Sequence, residues 1–215
     1  MTEVQIPAGR AVLSGSLTIP DNSMALVLFA HGSGSTRHSP RNQFVARTLN
    51  RAGLGTLLFD LLTPEEEALD NCTGEHRFNI SLLAERLAQA TKWTRQENQT
   101  HDLRIGYFGS STGGAAALVA AAQLPQDVAA VVSRGGRPDL AGDALPRVQA
   151  PTLLIIGGND EVVIKLNEMA RHQMRCEVKL EIIPGATHLF EESGALEKVA
   201  KLASKWFSFY LSGPH

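Results

Sequence analysis

The chain has 215 residues, 43% hydrophobic and 20% charged, with a formal net charge of -2. That length suits one domain spanning residues 1–215, burying about 71% of its surface on folding. The balance excludes whole-chain disorder, the absence of a basic excess argues against a nucleic-acid partner, and no run of about 18 apolar residues is present to cross a membrane. Two cysteines, Cys72 and Cys176, are too few for a disulfide scaffold and read as reduced thiols. The N-terminal MTEVQIPAGR lacks the basic start and apolar run of a secretory signal, so a cytoplasmic setting is expected.

In chain order, residues 3–6 and 12–19 read as two strands joined by Pro7-Ala8-Gly9-Arg10, an antiparallel hairpin at a sheet edge. From residue 25 onward, short apolar runs alternate with helical patterns. The runs are residues 25–30, 56–59, 103–108, 128–132, 151–156 and 179–183, and each has the character of a strand buried on both faces. The helical patterns cover residues 41–51, 78–93, 112–123, 161–174 and 194–211. Trp93 and Trp206 fall on helical stripes and read as packing residues. Residues 61–77, with Pro64, Gly74 and Glu65, Glu66, Glu67 and Asp70, read as a long irregular stretch, either an acidic excursion or a flap. Gly213, Pro214 and His215 read as a frayed end. The expected fold class is α/β: a mostly parallel sheet, helices on both faces, and an antiparallel N-terminal hairpin.

Ligands of a parallel sheet bind at the carboxyl ends of its strands. After residues 103–108 comes Gly109-Ser110-Ser111-Thr112-Gly113, a G-x-S-x-G turn between strand and helix. Small residues two before and two after the central serine let the two elements approach, which singles out Ser111 over Ser110 as nucleophile. The alternative is a serine capping the helix N-terminus. A serine hydroxyl needs a base, and the base needs an orienting carboxylate. Asp160 follows the next-to-last strand and His188 the last, in the order Ser111, Asp160, His188. Asp160 also fits a helix N-cap, Glu161 is a fallback acid, and His188 alone fits a solvated loop. For the oxyanion, the expected donors are the backbone N–H groups of Thr112 and of Ser33, in His31-Gly32-Ser33-Gly34-Ser35. His31 reads as a structural residue at the strand end. Arg37 and Arg134, with Arg41 and Arg137 nearby, are candidates to bind an anionic part of the substrate. The alternative is pairing with Asp139, Asp143 or the residue 65–67 acids.

HGSGST, GSSTGG, GGND and GATH together resemble the oxyanion loop, nucleophile elbow, acid and base of the α/β-hydrolase superfamily. The size and the lack of a cap-sized insertion are similar to its small dienelactone-hydrolase-like branch. Authentic dienelactone hydrolases use a cysteine nucleophile, and this sequence has Ser111, which points away from dienelactone itself and toward a general carboxylester. The resemblance implies a carboxylester hydrolase acting on a small molecule, with no metal and no organic cofactor. Acyl transfer to an alcohol or thiol, or a binding scaffold, remains open on the same fold. Nucleotide binding at Gly32-Ser33-Gly34 with Asp60 is a distant rival, because Arg37 stands where a third glycine belongs. Oligomeric state is not legible.

Overall fold

A strand that is apolar at every position needs cover on both faces, and the central strands have it. The computed structural model describes residues 1–212; the frayed end expected at Gly213–His215 lies outside them. The strands are β1 (Thr2–Ala8), β2 (Ala11–Thr18), β3 (Ala25–Ala30), β4 (Gly55–Phe59), β5 (Arg104–Ser110), β6 (Val128–Arg134), β7 (Thr152–Gly157) and β8 (Val178–Ile183). They form one sheet in the order β1-β2-β4-β3-β5-β6-β7-β8. β1 pairs antiparallel with β2 and β2 with β4, and every other pairing is parallel. The expected α/β class, with its N-terminal hairpin at one edge, is therefore present.

Alternate residues of β3 enter opposite cores. Leu26, Leu28 and Ala30 join one cluster, and Ala25, Val27 and Phe29 the other. The helices are α1 (Pro40–Arg51), α2 (Pro64–Thr73), α3 (Ile80–Thr94), α4 (Thr112–Gln123), α5 (Glu161–Gln173) and α6 (Ala195–Leu211). Residues of α1 and α6 cover one face of the sheet, whereas α3 and α4 cover the other. Trp206 of α6 packs there and donates to the Pro151 carbonyl, and Trp93 lies against the opposite core, so both tryptophans are packing residues. Gly106 of β5 leaves room for the Phe207 ring of α6, which a Cβ would meet at 2.7 Å. Among the described residues, no helix is long and apolar enough to cross a membrane.

Two expectations are corrected and one element is added. β8 is an edge strand with one uncovered side; Lys179 and Glu181 form an ion pair on it, and of its residues only Ile183 is buried. Residues 138–147 hold a 3-10 segment, broken at Gly142, that the apolar pattern does not announce. Residues 61–77 are not irregular, because α2 occupies their centre. The helix starts in a capping box: the Thr63 hydroxyl accepts from the Glu66 N–H, and the Glu66 carboxylate accepts from the Thr63 N–H. Gly74 ends it in the left-handed conformation. The other Glu66 oxygen accepts from Arg86 Nη2 of α3 at 2.7 Å, and Arg86 Nη1 donates to the Ala8 carbonyl of β1. One carboxylate thus starts α2 and ties it to α3.

The C-terminal end of the same segment closes on Asp70, which is 3% exposed. Its carboxylate accepts from the N–H groups of His76 and Arg77 and from Arg77 Nε at 2.8 Å. Burial pushes this carboxyl up, but those donors and the Arg77 charge outweigh it and hold it below the usual carboxylate range. A group whose pKa is lowered by folding stabilises the fold above its unfolded value and loses that contribution as pH falls through the folded value. Asp70→Asn is therefore expected to be less stable than wild type in urea denaturation at pH 7. The gap should close as the pH drops below 3.8, the ordinary aspartate value.

Candidate functional site

Parallel pairing aligns the carboxyl ends of the central strands on one rim. Ala30 lies opposite Gly109, Gly109 opposite Ser133, and Ser110 opposite Arg134. The turn from β5 into α4 places Ser111 on that rim with φ 53° and ψ -122°, a backbone conformation that a non-glycine residue adopts at a cost of about 1–3 kcal/mol. The surroundings fix it. The Ser111 N–H donates to the Arg134 carbonyl at 3.2 Å, and its carbonyl accepts from the N–H groups of Gly114 and Arg137. A Cβ on Gly109 would overlap the Gly113 carbonyl, and one on Gly113 would overlap the carbonyls of Ala30 and His31. The Ser111 hydroxyl makes no capping bond to α4, so the alternative role as a helix N-cap is not the one it takes.

The acid and the base come from loops stitched together by backbone bonds. After β7, the Gly158 N–H donates to the Ile183 carbonyl and the Asn159 N–H to the Ala186 carbonyl. This sets Asp160 beside the loop that follows β8. His188 Nδ1 lies 2.7 Å from Asp160 Oδ2. Asp160 stands at the N-cap position of α5 without capping it, because its carboxylate serves the imidazole instead. Glu161 is exposed at the helix start and does not pair with His188. A carboxylate accepts only, so the shared proton sits on Nδ1 and Nε2 is left as an acceptor. Glu192 braces the loop by accepting from the Thr187 hydroxyl and N–H, and those donors hold its carboxyl below the usual range. The ring edge faces the backbone of Gly135, where a Cβ would stand 3.5 Å from His188 Cε1.

Ser111, His188, Gly32, Ser33, Arg41 and Arg134 line one cleft of about 240 Å³. The three residues expected to act together are thus assembled in part. His188 and Asp160 are bonded, whereas Ser111 shares the cleft without a hydrogen bond to His188 among the described residues. Thr112 and Ser33 also meet, though not as expected. The Ser33 N–H donates to Thr112 Oγ1 at 3.0 Å, so this amide is engaged at rest. His31 is structural: Nε2 accepts from the Leu61 N–H, which leaves Nδ1–H to donate to the Gly32 carbonyl. Its burial lowers its pKa, with the Gly32 bond and nearby acids opposing.

The arginines separate sharply. Arg37, expected near the substrate, is turned away: its guanidinium pairs with Asp60 and reaches Glu3, and its N–H also donates to Asp60. The acid that claims it sits at the end of β4, which also accounts for Asp60 without a nucleotide. Arg137 is held by Asp139, and Arg41 by Glu191 at 3.1 Å. Arg134 is 7% exposed, and its Nε and Nη1 are buried without a hydrogen-bond partner. Its guanidinium lies 5.8 Å from the centroid of Phe190. Burial pushes its pKa down to about 10, and repulsion from Arg41 adds to the shift. Phe190 escaped sequence reasoning, since nothing in the letters announces an aromatic residue at φ 57°. Arg41 was visible as a basic residue past the oxyanion loop, but its place on the cleft depends on where α1 begins.

Residues 23–202 match the family described as the alpha/beta hydrolase domain. A Mycobacterium tuberculosis protein, named provisionally as a phosphoribosyl transferase, is 56% identical over 212 residues, which are 99% of this chain and 47% of that protein. The chain therefore spans about half the length of the curated relatives it matches. A solved structure named as dienelactone hydrolase from Anabaena variabilis is 58% identical, with a TM-score of 0.97 over 98% of this chain and 97% of that one. Est1E from Butyrivibrio proteoclasticus shares the fold at a TM-score of 0.81 and 17% identity, over 98% of this chain and 99% of its own.

If the glycine pair holds the turn as described, Gly113→Ala should be destabilised by about 3 kcal/mol or more, read as a lower urea midpoint or as insoluble protein. A variant as stable as wild type would mean that the strand–helix approach is not constrained at this point.

Proposed function

The chain belongs to the α/β-hydrolase family, and we propose that it hydrolyses carboxylic esters of a small-molecule substrate with Ser111 as nucleophile. The observation that carries this reading is the His188–Asp160 bond of 2.7 Å at the wall of the cleft onto which Ser111 opens. His188 Nε2 takes the Ser111 proton as Oγ attacks the ester carbonyl. The same proton then passes to the departing alcohol, leaving an acyl-serine. Water, deprotonated by the same nitrogen, attacks the acyl carbon, and the proton returns to Ser111 as the acid leaves. Asp160 holds the imidazole in the tautomer this requires and stabilises its charged form.

The oxyanion would be met by the Thr112 N–H and, once the Thr112 hydroxyl gives way, by the Ser33 N–H. Each such donor is worth about 10²–10³ in rate. The dienelactone hydrolase name of the Anabaena relative fits a small ester or lactone. The serine here favours a general ester hydrolase over the cysteine chemistry of authentic dienelactone hydrolases. The phosphoribosyl transferase name belongs to relatives of which this chain spans 47%. The shared part is the one that carries the α/β-hydrolase elements.

Ser111→Ala should fold with a near-wild-type melting temperature and lose at least about 10³-fold in kcat toward p-nitrophenyl acetate. Asp160→Asn should lose about 10⁴-fold, because its amide supports the wrong imidazole tautomer. A fluorophosphonate probe should label the peptide that contains Ser111 and miss the Ser111→Ala protein. Labelling of Ser110, or full turnover by Ser111→Ala, would assign the nucleophile elsewhere.

A further inference from the structure

Three acids near the cleft are already paired with other residues. Asp160 holds His188, Asp139 holds Arg137, and Glu191 holds Arg41. Among the described residues Arg134 itself has no acid partner, two of its nitrogens are buried without an acceptor, and the charge that acts on it is the like charge of Arg41. An unpaired buried cation is costly, and its removal by a well-packed apolar side chain is often neutral or stabilising. Its position is equally specific. Arg134 ends β6 directly opposite Ser110, its carbonyl holds the Ser111 N–H, and it lines the same cleft as Ser111 and His188. The guanidinium lies over the Phe190 ring, 5.8 Å from its centroid.

We infer that Arg134, with Arg41 behind it, forms an anion subsite, and that the ester cleaved here carries a carboxylate or phosphate group within reach of the nucleophile. This rests on the ester-hydrolase reading for its catalytic meaning, although the anion site itself does not. A guanidinium fork donates two parallel hydrogen bonds to either oxyanion, so geometry alone recognises the shared chemistry. Neutral esters of the same size leave the two orphaned nitrogens unsatisfied. Their specificity constant is expected to be lower by about 30-fold, the scale of hydrogen bonds to a buried charge.

The experiment has a binding arm and a turnover arm. In the first, titration calorimetry measures inorganic phosphate and acetate binding to Ser111→Ala protein at constant ionic strength. Binding of either anion is expected, and Arg134→Met in the same background should abolish it. Arg134→Met should fold, since it removes an unpaired charge. If it does not, Arg134→Lys serves, with weakened binding expected because the charge remains but the fork is lost. In the second arm, kcat/KM is compared for p-nitrophenyl butyrate, mono-p-nitrophenyl succinate and p-nitrophenyl phosphonoacetate. A preference for either anionic ester that collapses in the Arg134 variant supports the subsite, and the better of the two names the anion. No anion binding by the parent protein, binding indifferent to Arg134, or equal turnover of all three esters by wild type overturns it. If none of the esters is turned over while anion binding still depends on Arg134, the hydrolase reading fails and the subsite stands.

Discussion

The site depends on one steric constraint, the contact of backbone with backbone around Ser111. Three pieces of chain converge there: the end of β5, the first turn of α4, and the loop that leaves β3. Gly109 and Gly113 carry no side chain to hold them apart, and Ser111 is bent into the left-handed region between them. The same approach brings the Ser33 amide to the Thr112 hydroxyl. The strained serine is held by three backbone bonds, to Arg134, Gly114 and Arg137. A cost of about 1–3 kcal/mol is sustained because the sheet beneath is buried on both faces and does not yield.

The elements that follow the sheet were legible for a simple physical reason. Strands covered on both faces are apolar throughout, and amphipathic helices between them repeat at 3.6, so β3 to β7 and α3 to α6 emerged close to their observed bounds. The G-x-S-x-G turn was legible because its requirement is an absence of side chains, which a sequence displays directly. Asp160 and His188 were found by position, as the polar residues just past two strand ends. The α2 helix was missed although its signal was present. Thr63 and Glu66 have capping-box spacing, but Pro64 and the acidic run were read as a break, whereas a proline in the first turn is favourable.

The arginines show where such reading stops. Arg37 lies past the end of β3 and Arg134 closes β6, and nothing in the letters tells their roles apart. Arg37 is claimed by Glu3 of β1 and by Asp60 just past β4, which only the fold brings near. Arg134 meets Phe190 and the like charge of Arg41, and no carboxylate pairs with it among the described residues. Selectivity among like residues is thus a tertiary property, set by which carboxylates the fold places within reach. The Thr112 hydroxyl on the Ser33 amide is of the same kind. Loop and helix each carry an ordinary polar group, and their meeting is decided by how closely the elbow packs.

The bare stretch of main chain at Gly135 has a further mechanical meaning. In the proposed cycle a single heterocycle must accept a hydrogen from one oxygen and deliver it to another a short distance away. With no side chain at residue 135, the ring edge meets only main chain there, and Asp160 grips the far nitrogen. The proposed cycle then asks of the ring only a small tilt between the two oxygens, made with its tether intact. The economy of the site thus lies as much in what is missing beneath the imidazole as in the groups arranged around it.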